Sequence, residues 1–197
     1  MIGEILKRVK FWLNEDRLGP DMPLTHICLY FPSCMRRLCN KKFKRFGRGA
    51  EFRPGAYAFG CSKIEIGDNV VIRPGSVLAA DTRQGGQGIV IEDNVLLGSC
   101  VHFYCHNHQF EDPDVPIIEQ GYGLSQKVVL KNGCWIGANT VFLKGVTVGA
   151  HSVVGAGSIV TRDIPDGVVA AGNPAHVIRR IGERKTDTFD ICSEQVK

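Results

Sequence analysis

Hydrophobic residues recur along much of the chain with a period of six. From Leu130 onward the blocks LKNGCW, IGANTV, FLKGVT, VGAHSV, VGAGSI and VTRDIP each open on an aliphatic or aromatic residue: Leu130, Ile136, Phe142, Val148, Val154 and Val160. The fifth residue of each block is small or β-branched, namely Cys134, Thr140, Val146, Ser152, Ser158 and Ile164. The same register reads upstream in IGDNVV, IRPGSV and LAADTR and in IEDNVL, LGSCVH and FYCHNH, anchored at Ile66, Ile72, Leu78, Ile91, Leu97 and Phe103. Such a period suits neither a 3.6-residue helix nor one alternating strand. It suits a short strand and a turn repeated as a β-solenoid, in which each anchor points to the axis and stacked coils share one core. Gly, Asn and Asp at the second to fourth positions supply the turns. Three blocks close one triangular coil, so the visible blocks predict about four coils. Two interruptions, RQGG at 83–86 and a longer excursion from Gln109 to Val129, each follow a group of three blocks, where a loop can leave a corner without disturbing the stack.

The N-terminal part follows a different rhythm. Ile2, Ile5, Leu6, Val9, Trp12 and Leu13 fall on one helical face, with Lys7, Arg8 and Lys10 largely elsewhere, which predicts an amphipathic helix over residues 1–14. Past Pro20 and Pro23 come HICLYF and MRRLCNKKFKRFGR, where Arg36, Arg37, Lys41, Lys42, Lys44, Arg45 and Arg48 interleave with Leu38, Phe43 and Phe46. A helix that caps one end of the solenoid accounts for this segment. Peripheral contact with an anionic bilayer surface is the alternative. The expected organisation is an N-terminal helical cap over 1–50, an all-β solenoid domain over 51–181 and a polar tail over 182–197.

Composition narrows the setting. A chain of 197 residues has room for one continuous core, and its 23 glycines are spread rather than clustered. A formal charge of +4 suits an anionic small ligand and does not call for nucleic acid. Eight cysteines without any CxxC spacing point to free thiols and a reducing cytoplasm. Charges precede any apolar run at the N-terminus, and no stretch approaches the roughly 18 apolar residues of a membrane span.

Chemistry concentrates in VHFYCHNHQF, which holds His102, His106 and His108 immediately before the excursion. An imidazole titrates near neutrality and suits general-base removal of a hydroxyl proton. His102 is expected to be a plain solenoid-face residue. Cys134 occupies a fifth-position packing slot rather than the place of a nucleophile. Asp81, at a block end, fits either a turn or a contact to a bound substrate. Arg162, Arg179, Arg180 and Arg184 form a cationic C-terminal region.

The run WIGANTVFLKGVTVGAHSVVGAGSIVTRDIPDGVVAAGNPAHVIR, from Trp135 to Arg179, resembles the C-terminal signature of the hexapeptide-repeat acyltransferases, in the branch of maltose, galactoside and polysaccharide O-acetyltransferases. The resemblance covers about residues 50–181. It implies a left-handed parallel β-helix, a homotrimer with sites between subunits, acetyl-CoA as cosubstrate and no metal. It places the catalytic histidine at His108, with His106 as a second candidate because Cys105 stands where the polysaccharide branch often carries Asp. Trp135 lies near the coenzyme A stripe. Ala138 and Ala156 would let pantetheine approach the backbone, Thr161 and Arg162 would meet the nucleotide and Arg179 a phosphate. The implied acceptor is a sugar hydroxyl, first of all in a surface polysaccharide or its precursor. Serine or xenobiotic acetyl transfer, a hydratase resembling the γ-class carbonic anhydrases and a noncatalytic scaffold are the alternatives.

Overall fold

The computed structural model describes residues 1–183, in which the six-residue rhythm becomes a parallel β-helix with three faces. The first face stacks Tyr57–Phe59, Val77–Ala79, His102–Tyr104, Val141–Phe142 and Ile159–Val160 in parallel, with the short strand Arg17–Leu18 added antiparallel at the N-terminal edge. A second stacks Arg45–Phe46, Ile64–Ile66, Ile89–Ile91, Val128–Leu130 and Thr147–Val148. The third carries Leu96–Leu97, Trp135–Ile136, Val153–Val154 and Val168–Gly172, preceded by the pair Glu51–Phe52 and Val71–Ile72. Arg73 Nε bridges that pair to the next coil by donating to the Leu97 carbonyl at 2.8 Å.

Each predicted anchor, from Ile66 to Val160, is buried on the axis. The rings of Phe103 and Phe142 stack there with centroids 5.0 Å apart, so successive coils share aromatic as well as aliphatic packing. Fifth-position hydroxyls serve the turns: Ser158 Oγ donates to the Gly155 carbonyl at 2.6 Å and Thr140 Oγ1 to that of Gly137 at 2.8 Å.

The solenoid begins earlier than residue 51 and has one coil more than expected. Phe46, Phe52 and Ala58 keep the six-residue spacing and bury their side chains in the core. The basic residues around them disguised this coil as part of a helix. Their side chains instead reach outward to the next coils, Lys44 Nζ to Glu65 Oε1 at 2.7 Å and Arg45 Nη2 to Asp93 Oδ1 at 2.8 Å.

Three helices precede the coils: α1 (Ile2–Asn14), α2 (Pro23–His26) and α3 (Pro32–Lys42). The helix predicted over 1–14 is present as α1, yet it buries no residue, and Ile2, Ile5, Leu6 and Leu13 remain exposed. The end of the core is covered by α3 instead. Its Met35 and Cys39 are buried, and Phe43, just after it, packs on Phe46 and on Phe52 at 5.8 and 5.4 Å. At the other end Val168–Gly172 turns back antiparallel on Ala175–Arg180. Arg184 and the tail beyond it lie outside the described residues.

Candidate active site

The corner that follows the first face carries the titratable cluster. Strand Val77–Ala79 delivers Asp81, and strand His102–Tyr104, stacked on it, delivers Cys105 and His106. Asp81 is 2% exposed and is held by a loop that returns at once: Asp81 N–H donates to the Gln87 carbonyl at 3.0 Å. A Cβ at Gly86 would fall 2.6 Å from the Asp81 carboxyl carbon, so the RQGG insertion needs its glycine there to close over the acid. Arg83 donates to Asp81 three times, from its backbone N–H at 3.1 Å, from Nε at 2.8 Å and from Nη2 at 2.7 Å. These bonds to Arg83 hold the Asp81 carboxyl well below the usual carboxylate range, against the opposing effect of burial.

The excursion leaves from the next coil and comes back beside its own start. Gln109 N–H donates to the Gly121 carbonyl at 3.0 Å and Gly123 N–H to that of Asn107 at 2.9 Å, which sets His108 opposite Tyr122 in an antiparallel bridge. Gln120 ties the loop internally, donating to the carbonyls of Asp112 at 2.8 Å and Val115 at 2.7 Å. The ring of Tyr122 lies 4.3 Å from that of His108, 5.2 Å and edge-on from that of His106, and 4.7 Å below the Arg83 guanidinium carbon. His108 is exposed to solvent. His106 is half-buried and its Nδ1 has no hydrogen-bond partner. Burial lowers the His106 pKa, nearby Asp81 opposes that, and Arg83 and His108 add to it.

Other candidates for chemistry recede. Cys105 is buried and donates its thiol to the Gly88 carbonyl at 3.2 Å, with burial pushing its pKa up to about 11. It cannot orient an imidazole as a carboxylate would. Cys134 is buried as well, pushed up to about 12, and serves packing. His102 lies on the strand surface with its Nδ1 3.3 Å from the Tyr104 hydroxyl. Among the described residues no group of three or more His, Cys, Asp or Glu side chains is placed to hold a metal ion.

The residues suggested for coenzyme A fall on the third face, on the corner after it and on the recess beyond. Trp135 is 52% exposed on the third face beside Leu96, 54% exposed, its partner in register. Ala138 and Ala156 occupy successive turns of the next corner. A Cβ on Gly98 would come 2.4 Å from Ala138 N and one on Gly137 2.3 Å from Ala156 N, so this column has backbone packed on backbone. Thr161 and Arg162 line a recess of about 440 Å³ with Asn173, Pro174, Ala175 and His176. Arg179 does not line it; its Nη1 donates to the carbonyls of Arg180 and Glu183 at 3.1 and 3.4 Å. The structure thus brings His106 and His108 together, and Thr161 with Arg162, and it sets Trp135 and Arg179 in one register column of the third face, through Val153 and Val169. Sequence reasoning passed over Arg83 and Tyr122. An arginine two residues after Asp81, at the end of the same block, was a usable signal for the first; nothing in the excursion marked the second.

Residues 127–162 match the family model described as bacterial transferase hexapeptide (six repeats). The chain is 33% identical over 160 residues to the galactoside O-acetyltransferase of Lactococcus lactis, covering 81% of this chain and 73% of that protein. It is 36% identical over 148 residues to that of Escherichia coli, covering 75% and 68%. Among solved structures, a galactoside acetyltransferase in complex with coenzyme A superposes with a TM-score of 0.70 at 30% identity, over 89% of this chain and 78% of that one. A hexapeptide-repeat acetyltransferase from Vibrio cholerae, complexed with acetyl-CoA, gives 0.69 at 26% identity over 81% and 84%. The chain belongs to the hexapeptide-repeat acyltransferases, and its solenoid is their left-handed parallel β-helix.

Proposed function

We propose that this protein transfers the acetyl group of acetyl-CoA to a sugar hydroxyl, with His108 as the general base. The observation that carries the reading is the exposed imidazole of His108, whose backbone bridges Tyr122 at the mouth of the excursion and whose ring lies 4.3 Å from the Tyr122 ring, in a chain similar to galactoside O-acetyltransferases. As the acceptor oxygen attacks the thioester carbonyl, the imidazole takes the hydroxyl proton. The tetrahedral oxyanion then collapses, the carbon–sulfur bond breaks, and the imidazolium returns the proton to the coenzyme A thiolate. No acyl-enzyme is formed, consistent with the burial of Cys105 and Cys134.

Acetyl-CoA would lie along Trp135, Ala138 and Ala156, with Thr161, Arg162 and Arg179 toward its nucleotide and phosphates. As the family resemblance implies, a homotrimer that joins the histidine corner of one copy to the coenzyme stripe of the next would complete the site. The acceptor we favour is a sugar of a surface polysaccharide or its precursor. Exposed Ile2, Ile5, Leu6 and Leu13, with Lys7, Arg8 and Lys10 on the same helix, support work at the inner face of an anionic membrane. Among the described residues no helix is long and apolar enough to cross one.

Thiol release from acetyl-CoA, measured against a panel of sugars and nucleotide sugars, tests the function. Acceptor-dependent release that His108→Ala abolishes supports both transfer and base. Release unaffected by that change removes His108 from the role, and no release with any acceptor overturns the transferase reading for that panel.

A further inference from the structure

Tyr122 occupies a position that the repeat does not require. It sits on the returning limb of the excursion, outside the solenoid core and partly exposed, yet three functional-looking groups converge on its ring: His108 at 4.3 Å with planes inclined by 36°, His106 at 5.2 Å and Arg83 at 4.7 Å. The arginine is not free to wander, because Asp81 grips two of its nitrogens and the Gly123 carbonyl accepts from Nη2 at 3.3 Å. Asp81 in turn is fixed by the Gln87 carbonyl and by its burial beneath the RQGG loop. A continuous path runs from a buried acid through a paired guanidinium and an aromatic face to an exposed imidazole.

We propose that Tyr122 is a positioning residue for His108, holding its ring by a tilted ring-to-ring contact, and that Arg83, anchored on Asp81, holds Tyr122. The proposal rests on the reading of His108 as the base. An exposed histidine on a loop samples several rotamers, and a general base gains from being held in one. The Arg83 guanidinium, 4.7 Å from the Tyr122 ring centroid, adds a cation–π attraction that the solvent-exposed loop would otherwise lack. The role belongs to the ring rather than the hydroxyl, which separates the Phe and Ala replacements.

The full-length protein carrying Tyr122→Ala or Tyr122→Phe tests this, with melting temperature as a control for folding. The expected result for Tyr122→Ala is a kcat lowered by about 10- to 100-fold with KM for acetyl-CoA within about two-fold of the parent. Tyr122→Phe keeps most of the activity. Histidine-selective NMR supplies a readout independent of turnover: the His108 ring protons are shifted upfield by Tyr122 in the parent and in the Phe variant, and move toward random-coil positions in the Ala variant. A parent-like kcat for Tyr122→Ala, equal losses in both variants, or no ring-current shift in the parent overturns the proposal. Should His108→Ala remain active, the base assignment fails, while the NMR comparison still decides whether Tyr122 holds the ring.

Discussion

Asp81 and Arg83, two residues apart on one corner of the solenoid, meet through two parallel hydrogen bonds of 2.8 and 2.7 Å, the carboxylate 2% exposed and the guanidinium open to solvent on one side. That asymmetry makes the two single truncations unequal. Arg83→Ala strands a buried carboxylate and is expected to give the larger loss of stability. Asp81→Asn leaves a guanidinium that water can reach and is expected to cost about 1–2 kcal/mol. Urea unfolding of both variants checks the order.

The same pair carries a pH signature. Arg83 depresses the Asp81 carboxyl in the folded state, so the folded protein holds this proton less tightly than the unfolded chain does. Stability from the pair is therefore full above the unfolded value of about 3.9 and is lost as pH falls below it. The gap in unfolding free energy between the parent and Asp81→Asn is expected to be constant from pH 7 to pH 5 and to shrink from pH 5 to pH 3. A gap that widens on acidification would show that Asp81 is not held ionised.

The two histidines differ in their surroundings. His108 is exposed and stands opposite Tyr122 across the bridge, whereas His106 is half-buried, with an unpartnered Nδ1 and a pKa drawn down by burial. His108→Ala is expected to lower kcat by about 10²- to 10⁴-fold, the usual worth of a general base. His106→Ala removes one packing partner of Tyr122 and is expected to cost about ten-fold or less, through geometry alone. Steady-state kinetics at saturating acetyl-CoA make the comparison, and the reverse order would move the base to His106.

The solenoid was legible because its rule is written in every block: Ile66, Phe103 and Val160 repeat at six because each must meet the same axis. The first coil was hidden for a local reason. Lys44, Arg45 and Arg48 bond to acids one and two coils on, and a run of bases between phenylalanines looks the same on paper whether it lies on a helix or a prism face. His108 could be named as a candidate because a resemblance carried it. Tyr122 could not, since its partners lie 14, 16 and 39 residues upstream at His108, His106 and Arg83, and only the returning loop brings it to them.

The coenzyme assignment rests on side chains that differ in what they do for the fold, which allows kinetic and structural effects to be told apart. Ala156 is exposed at its corner, and Arg162 is exposed at the rim of the recess. Ala156→Leu and Arg162→Ala are each expected to raise KM for acetyl-CoA by about ten-fold, through lost approach or a lost phosphate contact, with little change in melting temperature. Gly137→Ala sets the contrast. Its new Cβ would press to 2.3 Å from Ala156 N, so it is expected to destabilise the coil itself by about 1–3 kcal/mol.

The N-terminal region divides between a cap and an unoccupied surface, and mutation distinguishes them. Phe43 is buried against Phe46 and Phe52 at the end of the core, so Phe43→Ala opens a cavity where the first coil needs cover and is expected to cost about 3–5 kcal/mol. On α1 the paired change Ile5→Asp and Leu6→Asp touches side chains that are already exposed and is expected to alter stability by less than about 0.5 kcal/mol. If that face meets an anionic bilayer, the same double variant loses co-sedimentation with vesicles containing phosphatidylglycerol, while Phe43→Ala, once folded, retains it. A double variant that melts well below the parent would instead mean that α1 is covered in the assembled protein, and that its apolar residues belong to an interface between copies of the chain.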